Sequence, residues 1–204
     1  PESLAHHLPE ERLPYLLFYR GELGLLTQPT VGVLGSAAPS VQAQHVATDL
    51  ARRLAEREHT LVGGYARGIE RLVLDAARQE RGCTVLVLPM GLRLFGQSHL
   101  DIERALREGR ALLLSPFPVD AEASEAAALA RIPLVAGLCD MIVLIEPDAA
   151  PSGWPALEMA RAAELPVCVW RGLNPAQIEA WLEAGAAPFE DCPSGMVLVD
   201  RSMG

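Results

Sequence analysis

Short apolar runs of strand length alternate along the chain with longer segments whose apolar residues recur at helical spacing, and this alternation narrows the fold more than any single residue does. Val31 to Gly35 predicts a first strand, followed by a helix over 40–58 with Val46, Leu50 and Leu54 as its stripe. Thr60 to Gly63 predicts the second strand, and 64–81 a glycine-opened helix with Ile69, Leu72, Val73 and Ala76 facing inward. Further strands are expected at 83–88, 111–114, 141–146 and 166–170, and a final one at 196–199. Helices are expected at 99–108, at 129–138 with a break near Pro133, after the turn-rich loop 147–154, and from Asn174-Pro175 onward. This order predicts an α/β domain over 31–204, with a mainly parallel sheet and helices on both faces, and a lead-in segment over 1–30 that packs on it.

Composition then removes whole classes of chemistry. The chain has no lysine, so its 17 basic residues are all arginine, which excludes Schiff-base catalysis and a Walker A phosphate loop. A formal charge of -9 opposes broad, non-specific binding to duplex DNA, although it leaves room for a local arginine pocket. Cys83, Cys139, Cys168 and Cys192 are widely spaced and form no CxxC pair, so neither a disulfide framework nor a zinc site is expected. The five histidines, His6 and His7 among them, show no metal spacing. No apolar run approaches the roughly 20 residues of a membrane helix, and 1–11 lacks the pattern of a signal peptide. A cytoplasmic protein in a reducing compartment is expected, with no metal, no cofactor and no membrane contact.

Right-handed crossovers bring the carboxyl ends of parallel strands to one edge, where ligands of such sheets bind. The most informative loop there is Gly63-Gly64-Tyr65-Ala66-Arg67-Gly68-Ile69-Glu70. Glycine admits an anion close to the backbone, unpaired amides at the following helix start donate to phosphate, and Arg67 adds a bidentate cation. The spacing is not the dinucleotide fingerprint, and the loop follows the second strand rather than the first, which speaks against a nicotinamide dehydrogenase. Gly35 and Ser36 offer a further amide and hydroxyl. Glu146, at the end of the fifth strand, is placed to hold a ribose hydroxyl or to orient loop amides. Ser152 and Gly153 precede a helix start near Trp154, a second anion cradle. Glu70 and Glu158 read as first-turn glutamates favoured by the helix dipole rather than as acid/base groups. Trp154, Trp170 and Trp181 read as core or interface anchors, although Tyr65 and Trp154 fall in crevice loops where stacking on a base is the alternative.

Taken in order, these loops resemble the DprA family, also called Smf, the DNA-processing proteins of natural transformation. Gly63 to Glu70 looks like the family pattern Ser-Gly-x-Ala-Arg-Gly-Ile-Asp. Gly35-Ser36-Ala37 resembles its Gly-Ser-Arg loop, and Arg131 to Leu138 its Arg-Asn-Arg-Ile-Ile-Ala-Gly-Leu run. Leu144-Ile145-Glu146 with Ser152-Gly153 resembles its Val-Val-Glu-Ala strand and the Ser-Gly that follows it. The lead-in Leu13 to Gly21, Ser115-Pro116-Phe117, and Trp181 to Ala186 also fit. The resemblance implies an extended Rossmann-like domain that binds single-stranded DNA in a positively charged pocket, dimerises and helps load RecA, with no catalytic residue. Gly35, Ser36, Arg67, Gly68, Arg131 and Gly137 would belong to or support that pocket. The chain departs from the pattern at Ala37, Ile132 and Pro133, where the family has arginine, asparagine and arginine, and at Glu70, where it has aspartate.

Two other readings stand beside this one. A non-catalytic nucleotide-binding sensor tolerates the loss of DNA-contacting arginines. A nucleoside-monophosphate phosphoribohydrolase would use Glu158 with Arg67 or Arg131. Its Pro-Gly-Gly-x-Gly-Thr-x-Glu motif is similar to Pro151 to Glu158, with Pro155 and Ala156 in place of glycine and threonine.

Overall fold

The computed structural model describes residues 14–95, 99–147, 157, 160–161, 164–170, 172 and 175–189. Eight strands form one sheet: β1 (Phe18–Gly21), β2 (Thr30–Gly35), β3 (Thr60–Gly63), β4 (Thr84–Val87), β5 (Ala111–Ser115), β6 (Met141–Ile145), β7 (Val167–Val169) and β8 (Ala187–Pro188). The helices of the described residues include α1 (Val41–Glu56), α2 (Ile69–Gln79), α3 (Leu100–Arg107), α4 (Glu125–Ala130), α5 (Ile132–Gly137) and α6 (Pro175–Glu183). The sheet order is β1-β5-β4-β3-β2-β6-β7-β8, with every pair parallel except β1 with β5. This is the expected α/β, Rossmann-like class. The chain lays down β2 to β5 in one direction and then returns to place β6 on the other side of β2. The topological switch point therefore lies between β2 and β6.

The inner strands are apolar at successive positions because both faces of the sheet are covered. Val31, Val33, Leu61, Leu86, Leu113 and Val143 pack under α1, α2 and α3. Leu34, Val62, Val85, Val87, Leu112, Ile142 and Leu144 pack on the opposite side with Leu134, Val135, Leu157 and Ile178. Neighbouring residues thus alternate between two cores, as the period of a strand requires.

Three local features differ from the sequence reading. Within the lead-in, Phe18–Gly21 forms an edge strand, registered from Phe18 opposite Ser115 to Gly21 opposite Leu112. Arg20 ties it to α3 through a two-pronged ion pair with Glu103, at 2.8 and 2.7 Å. The helix expected over 129–138 is two short helices hinged at Arg131, two residues before the proline. Pro133 sits in the first turn of α5, where its missing N–H is not needed. Cys168 is disulfide-bonded, against the expectation of none, because wide spacing in sequence sets no distance in the fold; Cys83 and Cys139 are free.

The strand expected at 196–199 lies outside the described residues. Among those described, no helix is long and apolar enough to cross a membrane, and no cluster of His, Cys, Asp and Glu is placed to hold a metal.

Candidate functional site

The loops after β2, β3 and β6 meet at the carboxyl edge of the sheet, and three contacts fix how they meet. At the switch point, the Ser36 amide donates to the Ile145 carbonyl at 3.3 Å, and Gly35 lies so close to that carbonyl that any side chain there would overlap it. Glu146, in the left-handed region at φ 49°, turns its carboxylate back and accepts from the Ser40 amide at 2.7 Å. The Ser40 hydroxyl in turn accepts from Ala43 at 3.1 Å and caps α1. Of the two roles expected for Glu146, the structure displays the orienting of loop amides.

The second contact joins the β2 and β3 loops. Gly68, at φ 91° and ψ -133°, is the N-cap of α2 and carries no side-chain cap. It rests on Ser36 and Ala37, where a methyl group would overlap the Ser36 carbonyl, and that carbonyl accepts from the Ile69 amide at 3.0 Å. Ser36 is buried, and its hydroxyl accepts from Ala38 at 3.1 Å. Glycine at 68 therefore serves both a backbone conformation closed to other residues and a close approach of two loops.

The third contact brings in Arg131 from the hinge between α4 and α5. Its guanidinium lies against the Cα of Gly64, in the space that a side chain at 64 would fill. Arg131 is buried, its Nη1 is 3.8 Å from the Glu70 Oε2, and its Nε has no hydrogen-bond partner among the described residues. Burial lowers the guanidinium below its ordinary range, with Glu70 partly offsetting the effect. The same Oε2 of Glu70 accepts from the Gly64 amide at 2.7 Å and from Ala66 at 3.5 Å. Gly63 ends β3 beneath them, with Leu74 and Glu70 nearest to its open side.

Arg67 stands out from this packed floor. It is exposed and makes no hydrogen bond or ion pair among the described residues. Tyr65, beside it, is in the left-handed region at φ 57° and donates to Asp75 Oδ1 at 3.1 Å. Burial raises its phenol above the usual range, and the charge of Asp75 adds to the shift. Its ring is already engaged, with Arg71 and Arg78 at 5.0 and 5.3 Å from the centroid and the rings of Phe95 and His99 in T-shaped contact at 6.2 and 5.7 Å between centroids. Phe95 and His99 stack on one another at 5.0 Å. This network includes the buried Arg78, ion-paired to Asp75 and Asp101, and its long-range contacts, such as Tyr65 with Phe95 and His99, leave no mark in the local sequence.

Gly35, Ser36, Gly63, Gly64, Arg67, Gly68, Arg131 and Glu146 thus come together at one edge. Gly137 does not join them. It closes α5, which starts at the site and runs back to the amino edge, where Asp140 accepts from the Thr30 amide at 2.8 Å at the start of β2. Ser152, Gly153, Trp154 and Glu158 lie outside the described residues. The arrangement presents Arg67 exposed and without a partner among the described residues, beside the loop amides, with Arg131 held inside.

Comparison with known proteins gives a consistent picture. The family model of DNA recombination-mediator protein A matches residues 1–186. The DNA processing protein DprA of Streptococcus pneumoniae is 33% identical over 65% of this chain, and the match spans 47% of that protein. The chain therefore spans about half the length of this curated relative. The crystal structure of the pneumococcal DprA superposes with a TM-score of 0.70 at 28% identity, covering 87% of this chain and 65% of that one. The DNA processing protein A of Helicobacter pylori, described for its single-stranded DNA binding mode, superposes with a TM-score of 0.73. Its coverage is 88% of this chain and 86% of that one, and at 23% identity it speaks for the fold alone.

Proposed function

The chain belongs to the DNA recombination-mediator protein A family, and from that premise we propose that it binds single-stranded DNA at the carboxyl edge of its sheet. The observation that carries the reading is Arg67, an exposed guanidinium without a partner among the described residues, set in the turn before α2. A strand phosphate at Arg67 would lie close to the start of α2, where both the charge and the helix dipole favour an anion. Arg71, one helical turn further on, is half exposed and only 3.7 Å from Asp75, so it is a weaker second contact.

The site is less cationic than the family pattern. Ala37 and Pro133 carry no charge, and Arg131 is buried. Each phosphate contact on a single strand contributes about 0.7 to the slope of log affinity against log salt. With one or two contacts, oligothymidylate binding followed by fluorescence anisotropy should give a slope of about -0.7 to -1.4. A salt-independent affinity, or no binding at low salt, rejects the reading.

The same reading assigns a cytoplasmic role as a homodimer that delivers the strand to RecA, without catalysis of its own. Co-elution with RecA in the presence of oligothymidylate tests that part.

A further inference from the structure

The clearest anomaly at the site is an anion-binding arrangement that the chain fills with its own carboxylate. The Gly64 and Ala66 amides converge on a single oxygen, Glu70 Oε2, at 2.7 and 3.5 Å. Arg131 faces the same oxygen at 3.8 Å, too far for a hydrogen bond. Its side chain is only 5% exposed, yet among the described residues it makes no hydrogen bond, and its Nε has no partner there. A guanidinium carries five N–H donors, and one buried with so few of them satisfied is costly in a folded chain. One carboxylate oxygen is serving three donors and satisfies only the nearest well. A phosphate group offers several oxygens in tetrahedral array and can meet both amides and the guanidinium together.

We propose that the Gly64 and Ala66 amides with Arg131 form a phosphate seat that Glu70 occupies in the free protein, so that a phosphate enters by displacing the Glu70 carboxylate. The proposal rests on the reading that this edge takes a phosphate-bearing ligand, and it adds a regulated second position beneath Arg67. Glu70 is suited to the exchange. It stands in the first turn of α2, its side chain keeps 15% of its surface exposed, and its release leaves it near the helix N-terminus, where a carboxylate is favoured. Gly64 is suited too, since the absence of a side chain is what lets the guanidinium reach the seat.

The test compares the wild-type chain with Glu70→Ala, Glu70→Gln and the double variant Glu70→Ala/Arg131→Met. Two probes are used, inorganic pyrophosphate by calorimetry and labelled oligothymidylate by anisotropy. If the seat is open in about a tenth of molecules, removing its internal occupant tightens binding about tenfold. Glu70→Ala should show that gain. Glu70→Gln, which keeps an oxygen for the amides but loses the charge, should show a smaller one, and it keeps the test valid if the alanine variant folds poorly. The double variant should lose the gain. A gain with pyrophosphate identifies a free phosphate compound as an occupant, and a gain with oligothymidylate alone identifies a strand phosphate. Unchanged or weaker binding in both single variants overturns the proposal, as does a gain that survives loss of Arg131, which would be a mere effect of net charge. Arg67→Ala on the wild-type background keeps the two claims apart. If it weakens oligothymidylate binding while the Glu70 variants change nothing, the seat fails and the strand-binding reading stands; the reverse pattern rejects that reading and keeps the seat.

Discussion

The guanidinium of Arg131 fills the space beside Gly64 that a side chain would take, so a residue of the α4–α5 hinge and the first residue after β3 occupy one volume between them. Gly64→Ala must therefore push the arginine away from Glu70. Breaking a buried ion pair by displacing one partner costs about 3–5 kcal/mol in well-packed cases, and the long 3.8 Å separation places this one toward or below the lower end. Urea denaturation should show a loss of about 2–3 kcal/mol. Gly109→Ala is the control: it has positive φ but nothing within 4 Å, and should cost only about 1 kcal/mol. Equal losses in the two variants would contradict the shared volume.

Gly68→Ala tests the joint between the β2 and β3 loops. The backbone at φ 91° strains any side chain, and the added methyl meets the Ser36 carbonyl. A loss of roughly 1–3 kcal/mol is expected from the conformation alone, measured by the urea midpoint. A variant as stable as wild type would mean that the two loops do not rest on each other.

Glu146→Gln probes the link across the switch point. The carboxylate accepts from the Ser40 amide at 2.7 Å, and hydrogen bonds to charged groups are worth about 1.5–3 kcal/mol. The amide replacement should weaken this bond without removing the acceptor. Glu146→Ala should remove it and raise hydrogen exchange at Ser40 well above the wild-type rate. Unchanged protection in the alanine variant would contradict the contact.

The pH dependence of stability has a clear sign at Asp101. Burial alone would raise its carboxyl, but the hydrogen bond from Arg78 at 3.0 Å and that residue's charge outweigh burial and hold it below the usual range. A carboxyl depressed in the folded state adds stability above its unfolded value and loses it as pH falls through the folded value. Asp101→Asn should therefore lower the urea midpoint at neutral pH, and the difference from wild type should shrink at about pH 2.5. A difference that is constant with pH would remove the charge from the account.

Much of the fold was legible because the inner strands are covered on both faces, and their continuous apolar runs, such as Met141–Ile145, announce themselves. Phe18–Gly21 did not, since an edge strand paired on one side needs no such run, and three of its four residues are exposed. The anion loop Gly63 to Glu70 was legible from its glycines and Arg67. What Arg131 does was not, because its partners Gly64 and Glu70 are more than 60 positions away in the chain and only the hinge before Pro133 brings them together. Gly137 shares a sequence run with Arg131, but it is the buried last residue of the six-residue helix that leads away from the hinge.

Arg67 bears most directly on the central claim. Binding of a labelled oligothymidylate should be measured for wild type and Arg67→Ala at the same low salt. Loss of one charge-assisted contact predicts affinity weaker by about 1–3 kcal/mol, roughly five- to a hundred-and-fiftyfold. An unchanged affinity would contradict a strand-binding site at this edge.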